Sequence, residues 1–268
     1  MDHIRQAVTK ARDRRIGANS RPQSGSAAPV HRGSIDFNSL VKSACNFEAF
    51  AENRIISNEH DPVLNAYRVL RTRVLQRMES EGWKSVAIVS PAPSAGKTVT
   101  AINLAIAVSS SETSRSTLLD FDFYRPSVAR YLGLENPGSV LDYFENEKEF
   151  TEIARRTDLP NFTVLANERV SRRGAEFLSS TAVEGLIDTA VRGLGSRIVV
   201  MDTSPILGCD DTLALLPQVD CVLLVAASGG TKAADIKEAK RLLRNTNIVG
   251  TVLNMAPSSS VKSGYYYY

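Results

Sequence analysis

The sequence predicts an α/β protein: a doubly wound, mostly parallel sheet flanked by helices. Short apolar runs rich in β-branched residues recur along the chain, and longer segments with helical spacing separate several of them. Continuous apolar strands imply a sheet covered on both faces, and strand–helix alternation implies parallel order with helical crossovers. A chain of 268 residues, 43% hydrophobic and 23% charged, is long enough for one substantial domain with appended tails.

The first element is an expected disordered basic arm, residues 1–45. Residues 1–33 carry seven Arg or Lys against Asp2 and Asp13, a net +5 that leaves −2 for the rest of a chain of formal charge +3. Residues 17–34 are rich in Ser, Gly, Ala and Pro and too polar to bury a core. The arm reads as a solvated tail or, with Ile4, Val8 and Ala11 along one side of a short basic helix, as a contact for an anionic membrane face or an acidic partner. No aromatic residue interleaves with the charges, so nucleic acid is not an expected partner. No apolar run approaches the roughly 20 residues that cross a bilayer, and the start lacks the apolar centre of a secretory signal, which predicts a soluble intracellular protein. Cys45, Cys209 and Cys221 form no CxxC pair and are expected to be reduced and structural, without a metal.

Residues 46–257 are the expected folded domain. Within it, residues 61–78 have the spacing of an amphipathic helix with Val63, Tyr67, Leu70, Val74 and Met78 on one face, opened by an Asp61 cap and Pro62. Strands are predicted at 85–90, 116–121, 162–166, 197–202, 221–227 and 248–254, and helices at 98–109, 181–194 and 231–245. The chain then ends in a polar tether and SGYYYY, a flexible tail over 258–268 whose last four residues are half of the protein's 8 tyrosines.

Ligands of doubly wound sheets bind beyond the carboxyl ends of the strands, which directs attention to Ser90, Asp120 and Asp202. The first predicted strand runs into SPAPSAGKT and then a helix. GKT at such a turn is the working end of a phosphate loop: the amides of Ser94, Ala95, Gly96, Lys97, Thr98 and Val99 surround phosphate oxygens, Lys97 reaches the β and γ phosphates, and the Thr98 hydroxyl takes Mg²⁺. The full pattern would place glycine at position 91, where this chain has Pro91. The second strand ends in LLDFDFYRP, with Asp120 and Asp122 two apart and on one side of an extended chain. The fourth ends in IVVMD, placing Asp202 where a carboxylate completes a metal shell. Any one such aspartate reads equally as a helix cap; three strand ends together with a lysine and a helix N-terminus make a Mg²⁺-nucleotide site.

SPAPSAGKT, LLDFDFYRP and RIVVMDTSPIL, in that order and followed by a tyrosine cluster, resemble the bacterial tyrosine kinases (BY-kinases) of exopolysaccharide and capsule assembly. The resemblance covers about residues 60–268 and implies a P-loop NTPase fold akin to MinD and ParA, with Walker A, A′ and B motifs at 90–98, 118–122 and 198–202. It implies ATP and Mg²⁺ as cofactors, Lys97 as phosphate clamp, and Thr98, Asp122 and Asp202 at the metal. Asp120 would meet the tyrosine hydroxyl as base or orienting group. Asn254 matches an adenine contact of related ATPases and reads equally as a strand-end turn residue. Arg125 and Pro126 match an RP after the A′ motif, with a surface arginine as the rival reading. Tyr265, Tyr266, Tyr267 and Tyr268 would be the phosphoacceptors, modified in trans. Relatives carry ExxRxxR in the helix at 61–78, where this chain has Asn65, Arg68 and Arg71; the two arginines would face a neighbouring subunit of a homo-oligomer, weakened by the missing glutamate. Ser94 and Ala95 stand where relatives have glycine and glutamate, and Ser228, Gly229 and Gly230 where an arginine is common.

The implied activity is a cytoplasmic tyrosine autokinase recruited to the inner membrane face, regulating polysaccharide polymerisation and export. The implied partners are a separate membrane-embedded chain-length or co-polymerase protein as activator and a cognate tyrosine phosphatase. Two other classes compete: a MinD- or ParA-like ATPase switch, which would carry a lysine where this chain has Ala92, and a regulatory module that holds nucleotide without catalysis.

Overall fold

Alternate residues of the central strands bury against opposite layers, which is the physical meaning of their unbroken apolar sequence. Ala87, Val89, Leu119, Val199, Met201 and Leu224 pack into one core, while Val86, Ile88, Leu118, Ile198, Val200 and Leu223 pack into the other. The computed structural model describes residues 33–57, 61 and 63–257. The phosphoacceptor candidates Tyr265 to Tyr268, most of the basic arm and Pro62 lie outside them.

Strands β1 (Val41–Lys42), β2 (Ser85–Val89), β3 (Arg115–Phe121), β4 (Arg155–Arg156), β5 (Phe162–Leu165), β6 (Ser196–Thr203), β7 (Cys221–Ala227) and β8 (Ile248–Asn254) form one sheet in the order β1-β4-β5-β3-β6-β2-β7-β8. Every described pairing is parallel except β4 with β5. The chain leaves β2 toward β3 on one side and later adds β7 on the other, so the crevice beyond β2 and β6 is a topological switch point.

In chain order the helices are α1 (Phe47–Asn53), α2 (Leu64–Glu81), α3 (Lys97–Ser109), α4 (Val128–Leu132), α5 (Val140–Phe144), α6 (Phe150–Ile153), α7 (Gly174–Leu178), α8 (Ala182–Asp188), α9 (Asp211–Leu215) and α10 (Ala233–Leu242). Helix α3 is buried on nearly all sides, as its Ala- and Ile-rich sequence requires. Helix α2 covers it. Asp61, expected as the cap, accepts from the Val63 amide at 2.8 Å in the turn before α2, whose N-cap position is Val63 without a side-chain cap, and Gly82, in the left-handed region, ends the helix.

Two expectations change. Residues 33–45 belong to the fold and not to the arm: Ile35 and Leu40 are buried, the Ile35 amide donates to Gly193 at 2.9 Å, and β1 joins the sheet. Averaging composition over the arm hid three apolar residues, Ile35, Phe37 and Leu40, behind the polar stretch that precedes them. In α2 the buried face is Leu64, Tyr67, Val74, Leu75 and Met78, with Leu70 partly covered, while Val63 sits before the first turn and is exposed.

Candidate functional site

The loop after β2 folds around its own backbone. Ser90 Oγ donates to the Ala92 carbonyl at 2.7 Å, and the Ile206 and Leu207 amides donate to the carbonyls of Ser90 and Pro91 at 2.9 and 3.2 Å, tying the loop to the segment after β6. Ser94 and Gly96 adopt the left-handed region, φ 61° and 84°. Serine at 94 therefore bears a conformational cost of about 1 kcal/mol that glycine would avoid. Gly96 has no substitute: an added Cβ would lie 2.0 Å from Asn254 Nδ2. That same nitrogen donates to the Ala95 carbonyl at 3.0 Å, so the end of β8 braces the loop. Asn254 Oδ1 also accepts from the Met255 amide at 2.9 Å, the turn geometry that was one of its two readings.

Two rings hold the second corner. Phe121 and Phe123, both fully buried, pack with Phe144 and Phe177 at centroid distances of 5.4 to 6.1 Å. Their anchoring fixes Asp122 between them. Asp122 Oδ1 accepts from Ser204 Oγ at 2.7 Å and from the Arg125 amide at 3.0 Å, and the residue borders the cavity beside the loop. Asp120 has a different fate. It is fully buried, Oδ2 accepts from the Ser127 and Val128 amides at 3.0 Å each, Oδ1 accepts from the Asp122 amide at 3.2 Å, and it does not line the cavity. Asp120, which the family resemblance would bring to an acceptor hydroxyl, has its carboxylate bound to the backbone that opens α4.

Asp202, at the third corner, is paired in register with Asp120 across β3 and β6. Its Oδ2 accepts from the Thr98 hydroxyl at 2.6 Å, and its Oδ1 is buried with no hydrogen-bond partner. Burial raises the Asp202 carboxyl to about 7, opposed by the nearby Lys97 charge and the Thr98 hydrogen bond. Asp120 is pushed well above the carboxylate range by burial first and by the charge of Asp202 next. Lys97 is buried and, among the described residues, has no ion pair. Three crowded carboxylates, an orphan oxygen and a hydroxyl form a hard-oxygen set short of positive charge, which fits Mg²⁺. The amides of a loop with two left-handed residues, at the head of a 13-residue helix, fit an anion.

A cavity of about 630 Å³ runs over this site, bordered by Ser94, Gly96, Lys97, Thr98, Asp122 and, farther out, Arg125. A second, of about 310 Å³, lies between α2 and the end of β8 and has apolar walls including Tyr67, Leu70, Val252 and Leu253. Gly96, Val99 and Met255 border both, so a polyanion in the first is contiguous with an apolar slot for a flat base in the second. Ala95 is buried under the loop and contributes backbone only.

The helix α2 arginines separate. Arg68 is exposed, whereas Arg71 is half-buried and its Nη1 donates to the Ala107 carbonyl at 3.0 Å in the last turn of α3. Sequence reasoning missed Ser204, whose hydroxyl positions Asp122, and Tyr124, Arg130, Tyr131 and Cys209, which border the larger cavity. Only Ser204, two residues past a strand-end aspartate, left a sequence signal; the others follow from the path of the chain after Asp122. The three cysteines are free, and Cys221 is buried. No helix among the described residues is long and apolar enough to cross a membrane.

No protein-family profile matches the chain. It is 28% identical over 225 residues to tyrosine-protein kinase YwqD of Bacillus subtilis, covering 83% of this chain and 91% of that protein. It is 27% identical over 207 residues to the putative tyrosine-protein kinase EpsB of Ralstonia solanacearum, covering 76% of this chain. It is 26% identical over 200 residues to a putative tyrosine-protein kinase in the cps region of Klebsiella pneumoniae, covering 74% of this chain. The chain spans 27% of the length of each of the latter two relatives. In structure it resembles the kinase domain of the Escherichia coli tyrosine kinase ETK, with TM-score 0.70 and 22% identity over 93% of this chain and 89% of that one. The septum site-determining protein MinD of Pyrococcus horikoshii, complexed with Mg-ADP, aligns with TM-score 0.51 and 18% identity over 63% of this chain and 69% of that one. These structural likenesses establish the fold, which is shared with MinD and the ETK kinase domain.

Proposed function

We propose that this chain, which belongs to the bacterial tyrosine-kinase (BY-kinase) family, is an ATP- and Mg²⁺-dependent tyrosine autokinase that modifies Tyr265 to Tyr268 of a neighbouring copy. The observation that carries the reading is the convergence of Lys97, Thr98 and Asp122 on one cavity, with the buried Asp202 bonded to Thr98 behind it and its Oδ1 left without a partner. Thr98 and Asp202 would hold the metal, with Asp122 beside them at the edge of the cavity. When bound, Mg²⁺ offsets the charge of the transferring phosphoryl group.

The loop amides and Lys97 hold the phosphates in line, and the apolar slot beside Asn254 takes the base. Asp122, the carboxylate that borders the cavity, orients the acceptor phenol and takes its proton as the phenolic oxygen bonds to phosphorus and ADP departs. Ser204 and the Arg125 amide keep that carboxylate aimed. Phosphates added to the tail, each bringing about −1.5 to −2 charges, would repel neighbouring tails and loosen the assembly. By kinship, the setting is the inner membrane face, with a membrane-embedded co-polymerase as activator, a cognate phosphatase, and surface-polysaccharide export as the regulated process.

The test is incubation with Mg²⁺ and labelled ATP, following phosphotyrosine and released phosphate. Label should appear on the intact protein, vanish in Lys97→Met and in a chain with all four tail tyrosines changed to Phe, and fall about 100-fold or more in Asp122→Asn. Phosphate release without label would replace this reading with a MinD-like switch, and nucleotide binding with neither would replace it with a regulatory module.

A further inference from the structure

Beyond Asp122 the larger cavity is bordered by Tyr124, Arg125, Arg130 and Tyr131. Elsewhere on the surface, arginines such as Arg77, Arg169 and Arg241 each have a carboxylate partner. Among the described residues, Arg125 and Arg130 have none, although both are exposed beside a site crowded with carboxylates. Each is pre-positioned. The Arg125 backbone is pinned by its amide donating to Asp122 Oδ1, and the Arg130 guanidinium lies 4.7 Å from the Tyr131 ring centroid. Tyr124, 53% exposed, adds an open ring face. Two guanidiniums without acids, flanked by aromatic rings, suit a phosphate attached to an aromatic ring: the planar fork pairs with phosphate oxygens, and the rings meet the phenyl group.

Resting on the kinase reading above, we propose that Arg125 and Arg130 form a second anion subsite, which holds a phosphotyrosine two residues from the tyrosine being modified. In an extended segment, residues i and i+2 project from the same side about 6.8 Å apart, so a tail bound in extended form would present the first and third tyrosines of the cluster to one surface together. Each completed transfer then primes the next, and the cluster fills progressively on one engaged tail. Lys97 and the loop amides already answer the nucleotide phosphates, which leaves these arginines for an anion of another source.

The experiment uses the full chain with Tyr265→Phe, Tyr266→Phe, Tyr267→Phe and Tyr268→Phe, so that an added peptide is the only cluster present. Fluorescein-labelled SGYYYY, plain or phosphorylated on its third tyrosine, is titrated in Mg²⁺ and a non-hydrolysable ATP analogue, with binding read by anisotropy. The phosphorylated peptide should bind at least 10-fold tighter, and that advantage should disappear in Arg125→Ala with Arg130→Ala and return in part with lysine at both positions. Equal affinity for the two peptides, or an advantage that survives both alanines, overturns the proposal. With ATP, kcat/KM should favour the phosphorylated peptide by a similar factor. A rise in KM for ATP in the arginine variants with an unchanged peptide ratio assigns the arginines to the nucleotide and also overturns it. If neither peptide is labelled while the binding preference persists, the kinase reading fails and the anion subsite stands.

Discussion

At the scale of the residue, Asp202 ties stability to chemistry. A carboxyl held at about 7 in the fold and near 3.8 when unfolded favours folding only while it keeps its proton. As pH rises from about 4 to about 7 the unfolded chain ionises first, so this contribution is lost across that window and its full cost is present above it. Asparagine at 202 retains an acceptor for Thr98 and removes the charge. Asp202→Asn should therefore melt higher than the parent at pH 8 without metal, with the gap closing toward pH 4.5. Adding Mg²⁺ and ATP should raise the melting temperature of the parent and leave that of the variant nearly unmoved. Thermal unfolding across pH checks both, and a variant less stable than the parent at pH 8 contradicts the account. Asp120 shows the opposite arrangement, since three backbone amides occupy its oxygens.

At the scale of the element, α2 is stitched to α3 by Arg71, which satisfies the Ala107 carbonyl where the helix leaves its own ladder. Removing that side chain leaves the carbonyl with only the Ser110 hydroxyl, which donates to it at 2.9 Å, and the lost hydrogen bond costs about 1 kcal/mol. Arg71→Ala should lower the melting temperature of dilute protein by roughly 2–4 °C. Arg68→Ala should leave it within about a degree, and any change in sedimentation in that variant would then report on assembly alone.

The sheet shows why some elements were legible and others not. Strands β2, β3, β5, β6 and β7 are buried on both faces, and unbroken apolar runs announced them. The last run, β8, is an edge strand with no fully buried residue, recognisable from its β-branched sequence all the same. Strands β1 and β4 are VK and RR, two residues each, placed by their neighbours and lacking any period of their own. The three aspartates were legible as strand ends. Which of them faces the cavity was not, because it depends on Phe121 and Phe123 anchoring the turn and on the Ser127 and Val128 amides returning to Asp120.

At the scale of the whole molecule, the folded unit begins well before the first motif. Ile35 and Leu40 sit in the same core as Val89 and Met201, so the start of the domain supports the strands that carry the site. Deleting residues 1–32 should leave the melting temperature within about a degree, whereas deleting 1–45 removes two buried apolar side chains, the buried Ser43 and a sheet pairing. That longer deletion should cost several kcal/mol and yield a protein with early thermal unfolding or none that is soluble. Calorimetry of the two truncations separates the outcomes.

The bond from Asn254 to the Ala95 carbonyl joins positions 159 residues apart. Translation delivers the glycine-containing turn long before it delivers the asparagine that clamps it. A nascent chain therefore emerges with the loop unbraced, and the brace arrives only as the closing strand docks, at nearly the same moment as the tyrosines that follow it.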